Sequence, residues 1–176
     1  MVLIISQRLS LRPFQQSDLL PLAGILSDEI SMAFWPRPFT VLEVQHRIDR
    51  NIYVNQTQGI GRLAIIHNES GELIGDCGLS FSTINDKEEL DIGYIVSPAY
   101  WNIGVATEAA NACLNGMNEY IGECRIVANM PIEHHASQRV AIKLGMTLEC
   151  TFINKRNRNQ LTYLYRMPDR TRRSLE

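Results

Sequence analysis

The stretch from residue 88 to residue 130 constrains the fold most strongly. Two strand-like runs, "EELDIGYIVS" and "CRIVANM", flank a segment whose apolar residues recur at helical spacing. These apolar residues are Ala106, Ala110, Cys113, Leu114, Met117 and Ile121. A strand, a helix and a strand joined in this way form a crossover, which makes the two strands parallel and the connection right-handed. The sequence therefore predicts one parallel strand pair with a helix packed across it.

The rest of the chain has the pattern of an antiparallel sheet. A first strand, "RLSLRPF", precedes two helices, the second of which begins with a capping box between Thr40 and Glu43. Polar turns separate "RLAIIH", "ELIGDCGLSF" and "EELDIGYIVS", and a short helix and a hairpin end the chain. The predicted class is α/β (α+β), in the order β-α-α-β-β-β-α-β-α-β-β. We expect a mixed, mostly antiparallel central sheet of about seven strands with about four helices and one splayed parallel pair.

Length and composition favour one globular domain. The chain has 176 residues and a mass of 20.0 kDa. Hydrophobic residues make up 45% of it, so it can bury a core. We expect a single domain over residues 1–168. The polar end, residues 169–176, is predicted to be a disordered tail or the scar of an expression tag.

Charge and cysteine usage disfavour several classes of protein. A net charge of -2 and a pI near 6.1 give no reason to expect nucleic acid as a partner. No run approaches the ~20 apolar residues of a membrane helix, so we expect no membrane partner and a cytoplasmic location. The four cysteines form no Cys-x-x-Cys pair and share no zinc-ligand spacing with the four histidines. We therefore expect reduced thiols and no metal site.

The segment "SPAYWNIGVATEA" connects the first strand of the crossover to its helix. Unpaired N–H groups and the dipole at a helix start can bind an anion, and Gly104 permits close backbone approach or a positive φ. An ordinary turn at Gly104 is the alternative. No Walker or dinucleotide glycine pattern is present. A second helix start, near Ser137 in "PIEHHASQRVAIKLGM", is expected at the same end of the sheet.

These residues resemble the GNAT superfamily of acyl-CoA N-acyltransferases, and within it the bacterial ribosomal-protein N-terminal (alanine/serine) acetyltransferase subgroup. The resemblance covers nearly the whole chain and is most specific at Trp101-x-x-Gly104-x-Ala106 and the preceding "GYIVSPAYW". It implies that the pantetheine arm of acetyl-CoA lies between the splayed parallel strands and bonds the backbone near Val96. It also implies that the loop backbone binds the pyrophosphate, through Trp101, Asn102, Ile103, Gly104, Val105, Ala106 and Thr107, with the Trp101 side chain packing instead.

The chain departs from the pattern of that subgroup at three places. Asn102 and Ile103 stand where a glycine and a cation are usual, so the loop depends more on main-chain donors. His134 stands where an asparagine is frequent, three residues before the serine, at an implied pantetheine contact. Ala141 stands where many members of the superfamily place a tyrosine acid.

Acetyl transfer needs an acid for the departing thiolate and help in deprotonating the amine. The resemblance makes Ser137 the acid, and a helix-capping hydroxyl is its structural alternative. It makes Asp91 the base, with Glu88 and Glu89 as competitors and Glu149 as a weaker one. A solvated or ion-paired carboxylate is the alternative at Asp91.

The aromatic segment "AFWPRPF" lies between the first two helices. The resemblance places one wall of the acceptor site here, formed by Phe34, Trp35 and Phe39. Core packing is the alternative for these rings, because aromatic side chains bury a large area.

The implied function is an acetyl-CoA-dependent N-acetyltransferase that acts by direct transfer on a primary amine, with acetyl-CoA as cosubstrate. The acceptor can be a ribosomal or other protein N-terminus or a small-molecule amine, and the enzyme a monomer or homodimer. The alternatives are a non-catalytic acyl-CoA-binding or regulatory module and a nucleotide-binding protein of another family.

Overall fold

One mixed sheet forms the centre of the computed structural model, which describes residues 3–121 and 124–168. Within these ranges the sheet has eight strands in the order β1-β2-β3-β4-β5-β6-β8-β7, and only β5 and β6 pair in parallel. The strands are β1 (Ile4–Ile5), β2 (Leu9–Arg12), β3 (Arg62–His67), β4 (Leu73–Ile84), β5 (Lys87–Val96), β6 (Ile126–Pro131), β7 (Thr147–Asn154) and β8 (Gln160–Arg166).

Helices cover both faces of the sheet. The helices are α1 (Leu19–Leu26), α2 (Val41–Gln58), α3 (Val105–Gly116), the single turn α4 (Asn118–Ile121) and α5 (His135–Lys143). Side chains of α1 and α2 pack around Ala64 and Ile95 on one face. Side chains of α3 pack on the other face in a larger cluster that includes Leu63 and Ile92. Strand β3 therefore contributes alternate residues to the two cores, with Leu63 and Ile65 in the larger cluster and Ala64 in the other.

The parallel strands β5 and β6 stay paired over a very short distance. Their register joins Leu90 to Ile126 and Asp91 to Val127. Beyond Asp91, β5 continues along β4 to Val96, while β6 continues along β8 to Pro131. The two strands diverge at this point, which leaves the end of β5 with one edge free of strand partners.

The predicted class, the parallel crossover and the mostly antiparallel sheet are confirmed, with two differences. The sheet has eight strands because Ile4 and Ile5 pair with β2, and a two-residue strand is too short to leave a pattern. The predicted crossover helix is interrupted at Met117, between α3 and α4. The capping box of Thr40 and Glu43 is present at the start of α2. Gly122, which directly follows the apolar helical pattern and predicts a helix stop, lies outside the described residues, as does the predicted tail, residues 169–176.

A buried charge network joins α2 to the sheet. The Asp76 carboxylate accepts hydrogen bonds from Arg62 Nε and from Arg47 Nε, each at 2.9 Å. Burial alone would raise the pKa of Asp76, but the two guanidinium groups outweigh it and lower the pKa. Asn51 completes the connection, because its Oδ1 accepts the backbone N–H of Arg62 at 2.8 Å. This network fixes the position of Arg62.

Asn51→Ala should lower the free energy of unfolding by about 1–3 kcal/mol, because it leaves the buried N–H of Arg62 without a partner. Thermal unfolding measures this loss. Gln56→Ala is the control, since Gln56 is an exposed residue of the same helix and should change stability by less than about 0.5 kcal/mol. Equal melting temperatures for the two variants would contradict the anchoring role of Asn51.

Candidate active site

Two cavities meet where β5 and β6 diverge. The larger, about 370 Å³, runs from the end of β5 along the starts of α3 and α5, and we call it the groove. The smaller, about 250 Å³, lies beside Asp91 and the β7–β8 turn, and we call it the pocket. Both are lined by Phe34, Trp35, Tyr94, His134 and Ser137. A ligand in the groove and a ligand in the pocket would therefore share one wall.

The loop before α3 forms one end of the groove. Gly104 has φ of 86° and lies immediately before the first residue of α3, with no side chain capping the helix. Asn102 has φ of 62°, so two of three successive residues adopt the left-handed conformation. Residues 104–107 line the groove, so the start of α3, whose first N–H groups have no partner within the helix, lies at its wall. Helix starts of this kind bind anions.

The Val96 carbonyl already has a partner in the groove. Ser97 N donates to Ile74 O of β4 at 2.8 Å, and the Val96 C=O lies on the opposite side of the same planar peptide. It therefore points away from β4, towards the unpaired edge. Trp101 Nε1 donates to this oxygen at 2.6 Å. The Trp101 ring thus makes a specific hydrogen bond where packing was predicted.

Ser137 and Tyr94 form a hydroxyl pair at the junction of the two cavities. Ser137 lies in the first turn of α5, and its Oγ is 2.9 Å from Tyr94 Oη. Tyr94 Oη is also 3.1 Å from the Ser137 carbonyl oxygen, to which it can donate. Burial raises the pKa of the Tyr94 phenol well above its usual value, so the phenol keeps its proton at neutral pH. The Ser137 hydroxyl therefore contacts Tyr94 and does not cap α5.

His134 lies flat against Phe34 at the same junction. The two ring centroids are 3.9 Å apart, and the planes differ by 9°. Burial, with a smaller contribution from neighbouring His135, lowers the pKa of His134 to about 4. The imidazole is therefore neutral near pH 7 and can both donate and accept a hydrogen bond.

Asp91 is the only carboxylate among the described residues that line the pocket. Burial raises its pKa to about 7, although the Arg62 charge and a hydrogen bond from Asn129 Nδ2, at 3.2 Å, act in the opposite direction. A carboxyl with this pKa exchanges a proton near physiological pH. Titratable groups shifted in this way are typical of active sites.

Comparison with known proteins decides the family. A family model described as an acetyltransferase (GNAT) domain matches residues 8–147. The chain belongs to the GNAT acetyltransferases. The resemblance to the GNAT superfamily seen in the sequence is thereby confirmed.

Individual relatives resemble this GNAT protein in sequence or in structure over most of its length. YnaD of Bacillus subtilis (strain 168), described as an uncharacterized N-acetyltransferase, is 29% identical over 151 residues, 85% of each chain. A GNAT-family acetyltransferase from Bacillus anthracis superposes with a TM-score of 0.78 at 26% identity, covering 94% of this chain and 97% of its own. RimL, a ribosomal L7/L12 alpha-N-protein acetyltransferase in complex with coenzyme A, gives 0.75 at 19% identity, over 93% and 96%. This last likeness shows the shared fold alone.

Hydrogen bonds of Arg8 hold the loop before α3 in place, and the sequence patterns did not identify this residue. Arg8 Nη1 donates to the Ile103 carbonyl at 2.9 Å, and Arg8 Nε donates to Glu108 at 2.8 Å. Glu108 also accepts from Ser6 Oγ and from the Arg8 backbone. Burial would raise the pKa of Glu108, but these hydrogen bonds lower it overall. These hydrogen bonds join residues about a hundred positions apart, so no local sequence pattern predicts them.

Most of the predicted cosubstrate residues line the groove, and Ile103 does not. The predicted residues that line the groove are Val96, Trp101, Asn102, Gly104, Val105, Ala106, Thr107, His134 and Ser137. The Ile103 side chain is 56% exposed outside it. Arg139 and Lys143 of α5 also line the groove and bring positive charge to it.

Replacing Gly104 by valine should weaken coenzyme A binding by roughly 5–30-fold, since a non-glycine residue in the left-handed region costs about 1–2 kcal/mol. Ile103→Ala should leave the affinity nearly unchanged, because the side chain lies outside the groove. Titration calorimetry with coenzyme A measures both. Equal losses from the two variants would contradict binding through the backbone at Gly104.

The aromatic residues predicted for the acceptor wall divide into two groups. Phe34 and Trp35 line both cavities. Phe39 lines neither; its ring lies 5.8 Å from that of Trp35, and the Arg47 guanidinium lies 5.9 Å from its centroid. Phe39 therefore has the packing role that was its alternative.

Two of the three competing carboxylates are ion-paired, and none of the three lies in the pocket. Arg125 binds Glu89 at 3.0 Å and Glu149 at 2.7 Å. Glu88 is exposed, and none of the three lines the pocket. Asp91 is thus the candidate base that lies in a cavity.

Within residues 3–121 and 124–168, no group of three or more His, Cys, Asp and Glu side chains could hold a metal ion. No helix there is long and apolar enough to cross a membrane.

Proposed function

We propose that this GNAT protein is an acetyl-CoA-dependent N-acetyltransferase that moves the acetyl group directly to a primary amine. The observation that carries the proposal is the junction of the two cavities. A cosubstrate in the groove would present its thioester at Ser137 and Tyr94, and an amine in the pocket would approach from Asp91.

The groove suits acetyl-CoA in both shape and polarity. Its pyrophosphate fits the backbone N–H groups after Gly104, and Arg139 and Lys143 supply positive charge nearby. Its pantetheine amides fit the unpaired edge of β5. The Val96 carbonyl would then exchange the indole of Trp101 for an amide of the ligand. The coenzyme A complex of RimL supports this assignment by family membership.

The residues at the junction can perform the proton transfers that the reaction needs. Asp91, once ionised, takes the proton of the incoming ammonium, directly or through water. The amine nitrogen forms its bond to the thioester carbon, and the carbon–sulfur bond breaks. Ser137 donates its hydroxyl proton to the leaving sulfur and regains one from Tyr94. The second proton of the amine, lost from the nitrogen as the amide forms, returns to Tyr94 through water. The products are then the amide, the thiol of coenzyme A and the proton held by Asp91. No cysteine is among the described residues that line either cavity, which favours direct transfer.

Thiol release from acetyl-CoA in the presence of a panel of primary amines tests the proposal, together with calorimetry of coenzyme A binding. We expect binding and amine-dependent release, with one acetylated amine formed per thiol. Binding without turnover on any amine would favour a non-catalytic acyl-CoA-binding module. Competition by ATP without coenzyme A binding would favour a nucleotide-binding protein.

The acceptor in this reaction is a protein N-terminus or a small-molecule amine. We further propose that the enzyme acts in the cytoplasm, as a monomer or a homodimer.

A further inference from the structure

The tip of the β7–β8 hairpin is tied to the segment between α1 and α2. Asn157 Nδ2 donates to the Phe34 carbonyl at 2.7 Å, and Arg158 Nη2 donates to the Ala33 carbonyl at 3.2 Å. We call these two bonds the clasp. They join two segments that both contribute to the pocket wall, since Phe34 and Asn157 line it. An elongated acceptor that passed between these two segments would have to break the clasp.

The pocket beside the clasp is small. Its volume of about 250 Å³ lies below the roughly 300–1,000 Å³ of sites that hold drug-sized ligands. Several residues of an extended peptide would not fit in it.

The charges that line the pocket indicate which small amine would fit. Arg62 and Arg156 are positive and Asp91 is negative, while His134 is neutral near pH 7. Arg62 is bound to Asp76, which is also bound to Arg47, so this buried group retains one positive charge. A polyamine would meet net positive charge. An amine that also carries an anionic group would place the amine at Asp91 and the anion towards Arg156.

We propose that the clasp and the charged lining make the pocket specific for a small primary amine that carries a carboxylate or phosphate group, and that they exclude protein N-termini. This inference rests on the proposed function and names the acceptor class of the same site. The clasp residues Asn157 and Arg158 are positioning residues. Arg156 would contact the acceptor itself.

The test compares kcat/KM for four kinds of amine, corrected for the neutral fraction of each. The amines are a free amino acid, an aminoalkyl phosphate, a diamine and a C-terminally amidated tetrapeptide that has the same first residue as the amino acid and carries no carboxylate. We expect one of the two anionic amines to exceed the diamine and the tetrapeptide by about 100-fold or more. Which anionic amine reacts faster distinguishes a carboxylate from a phosphate.

Variants of the hairpin separate the clasp from the rest of the site. The double variant Asn157→Ala with Arg158→Ala should raise kcat/KM for the tetrapeptide about tenfold. Arg156→Ala should reduce the preference for anionic amines over the diamine by a similar factor. Lys155→Ala is the matched control, because Lys155 is exposed on the same hairpin and lines neither cavity.

Each outcome decides a different claim. Wild-type protein that acetylates the tetrapeptide or the diamine as efficiently as the anionic amines would overturn this inference and leave the N-acetyltransferase function intact. Protein that binds coenzyme A and acetylates none of the amines would overturn the proposed function, and this inference with it.

Discussion

Ser137→Ala should reduce kcat by about 10²–10⁴-fold while leaving coenzyme A affinity within about twofold, the loss expected on removing a positioned acid. The Ser137 hydroxyl lines both cavities and is 2.9 Å from Tyr94 Oη. Removing it leaves the departing thiolate without its closest proton donor. Rapid-mixing measurements of thiol release give kcat, and calorimetry gives the affinity.

Two further variants sharpen the assignment of Ser137. Tyr94→Phe should also reduce kcat, by a smaller factor, because it removes the group that returns a proton to Ser137. Ile142→Ala is the control, since Ile142 is 59% exposed on the same helix, α5, and lines neither cavity. Full activity in Ser137→Ala, with activity lost in Tyr94→Phe, would make Tyr94 the acid.

Asp91→Asn should reduce kcat at pH 8 by about 10²–10⁴-fold. It should also abolish the rise of kcat with pH that the wild type shows. In the wild type, kcat at saturating amine should rise with pH through about 7, the pKa to which burial raises Asp91. Below this pH the carboxyl is protonated and cannot accept a proton, so wild type and variant should converge. An amine whose own pKa lies above 9 keeps its titration outside this range.

Thermal stability gives an independent check on Asp91. Burial raises its pKa above that in the unfolded chain, so the folded protein holds the proton more tightly. The stability from this effect is complete below the unfolded pKa and is lost as pH rises through about 7. The melting temperature of Asp91→Asn relative to wild type should therefore be higher at pH 8 than at pH 5. Two results together would show that Asp91 is not the base: the same difference in melting temperature at pH 5 and pH 8, and a kcat of Asp91→Asn that still rises with pH through about 7.

Local patterns were sufficient to predict the elements that position the site. The crossover follows from two apolar strands and one helix that are consecutive in the chain. A glycine at position 104 permits the positive φ of 86° that the structure has there. Each of these features involves neighbouring residues, so the sequence displays it directly.

Contacts between distant segments could not be predicted in this way. Tyr94 and Ser137 are 43 positions apart, Arg8 and Glu108 are 100 apart, and Phe34 and Asn157 are 123 apart. Tyr94 was visible only as part of "GYIVSPAYW", and its parity on β5 does not show what lies across from it. These contacts depend on how α5, β2 and the β7–β8 hairpin pack, which a single sequence does not specify.

Phe39 illustrates the same limit at short range. It is four residues from Trp35, yet Trp35 faces the cavities and Phe39 packs near Arg47. The segment between α1 and α2 is irregular, so no period assigns its side chains to the core or to the site.

The affinity of a bisubstrate analogue tests the central claim, that the groove and the pocket meet so that the acetyl group passes directly from thioester to amine. The analogue joins the sulfur of coenzyme A, through an acetyl-length linker, to the nitrogen of the amine that turns over fastest. We predict binding at least about 100-fold tighter than that of coenzyme A, and loss of this advantage in Asp91→Asn. An analogue that binds no more tightly than coenzyme A would contradict direct transfer at this junction.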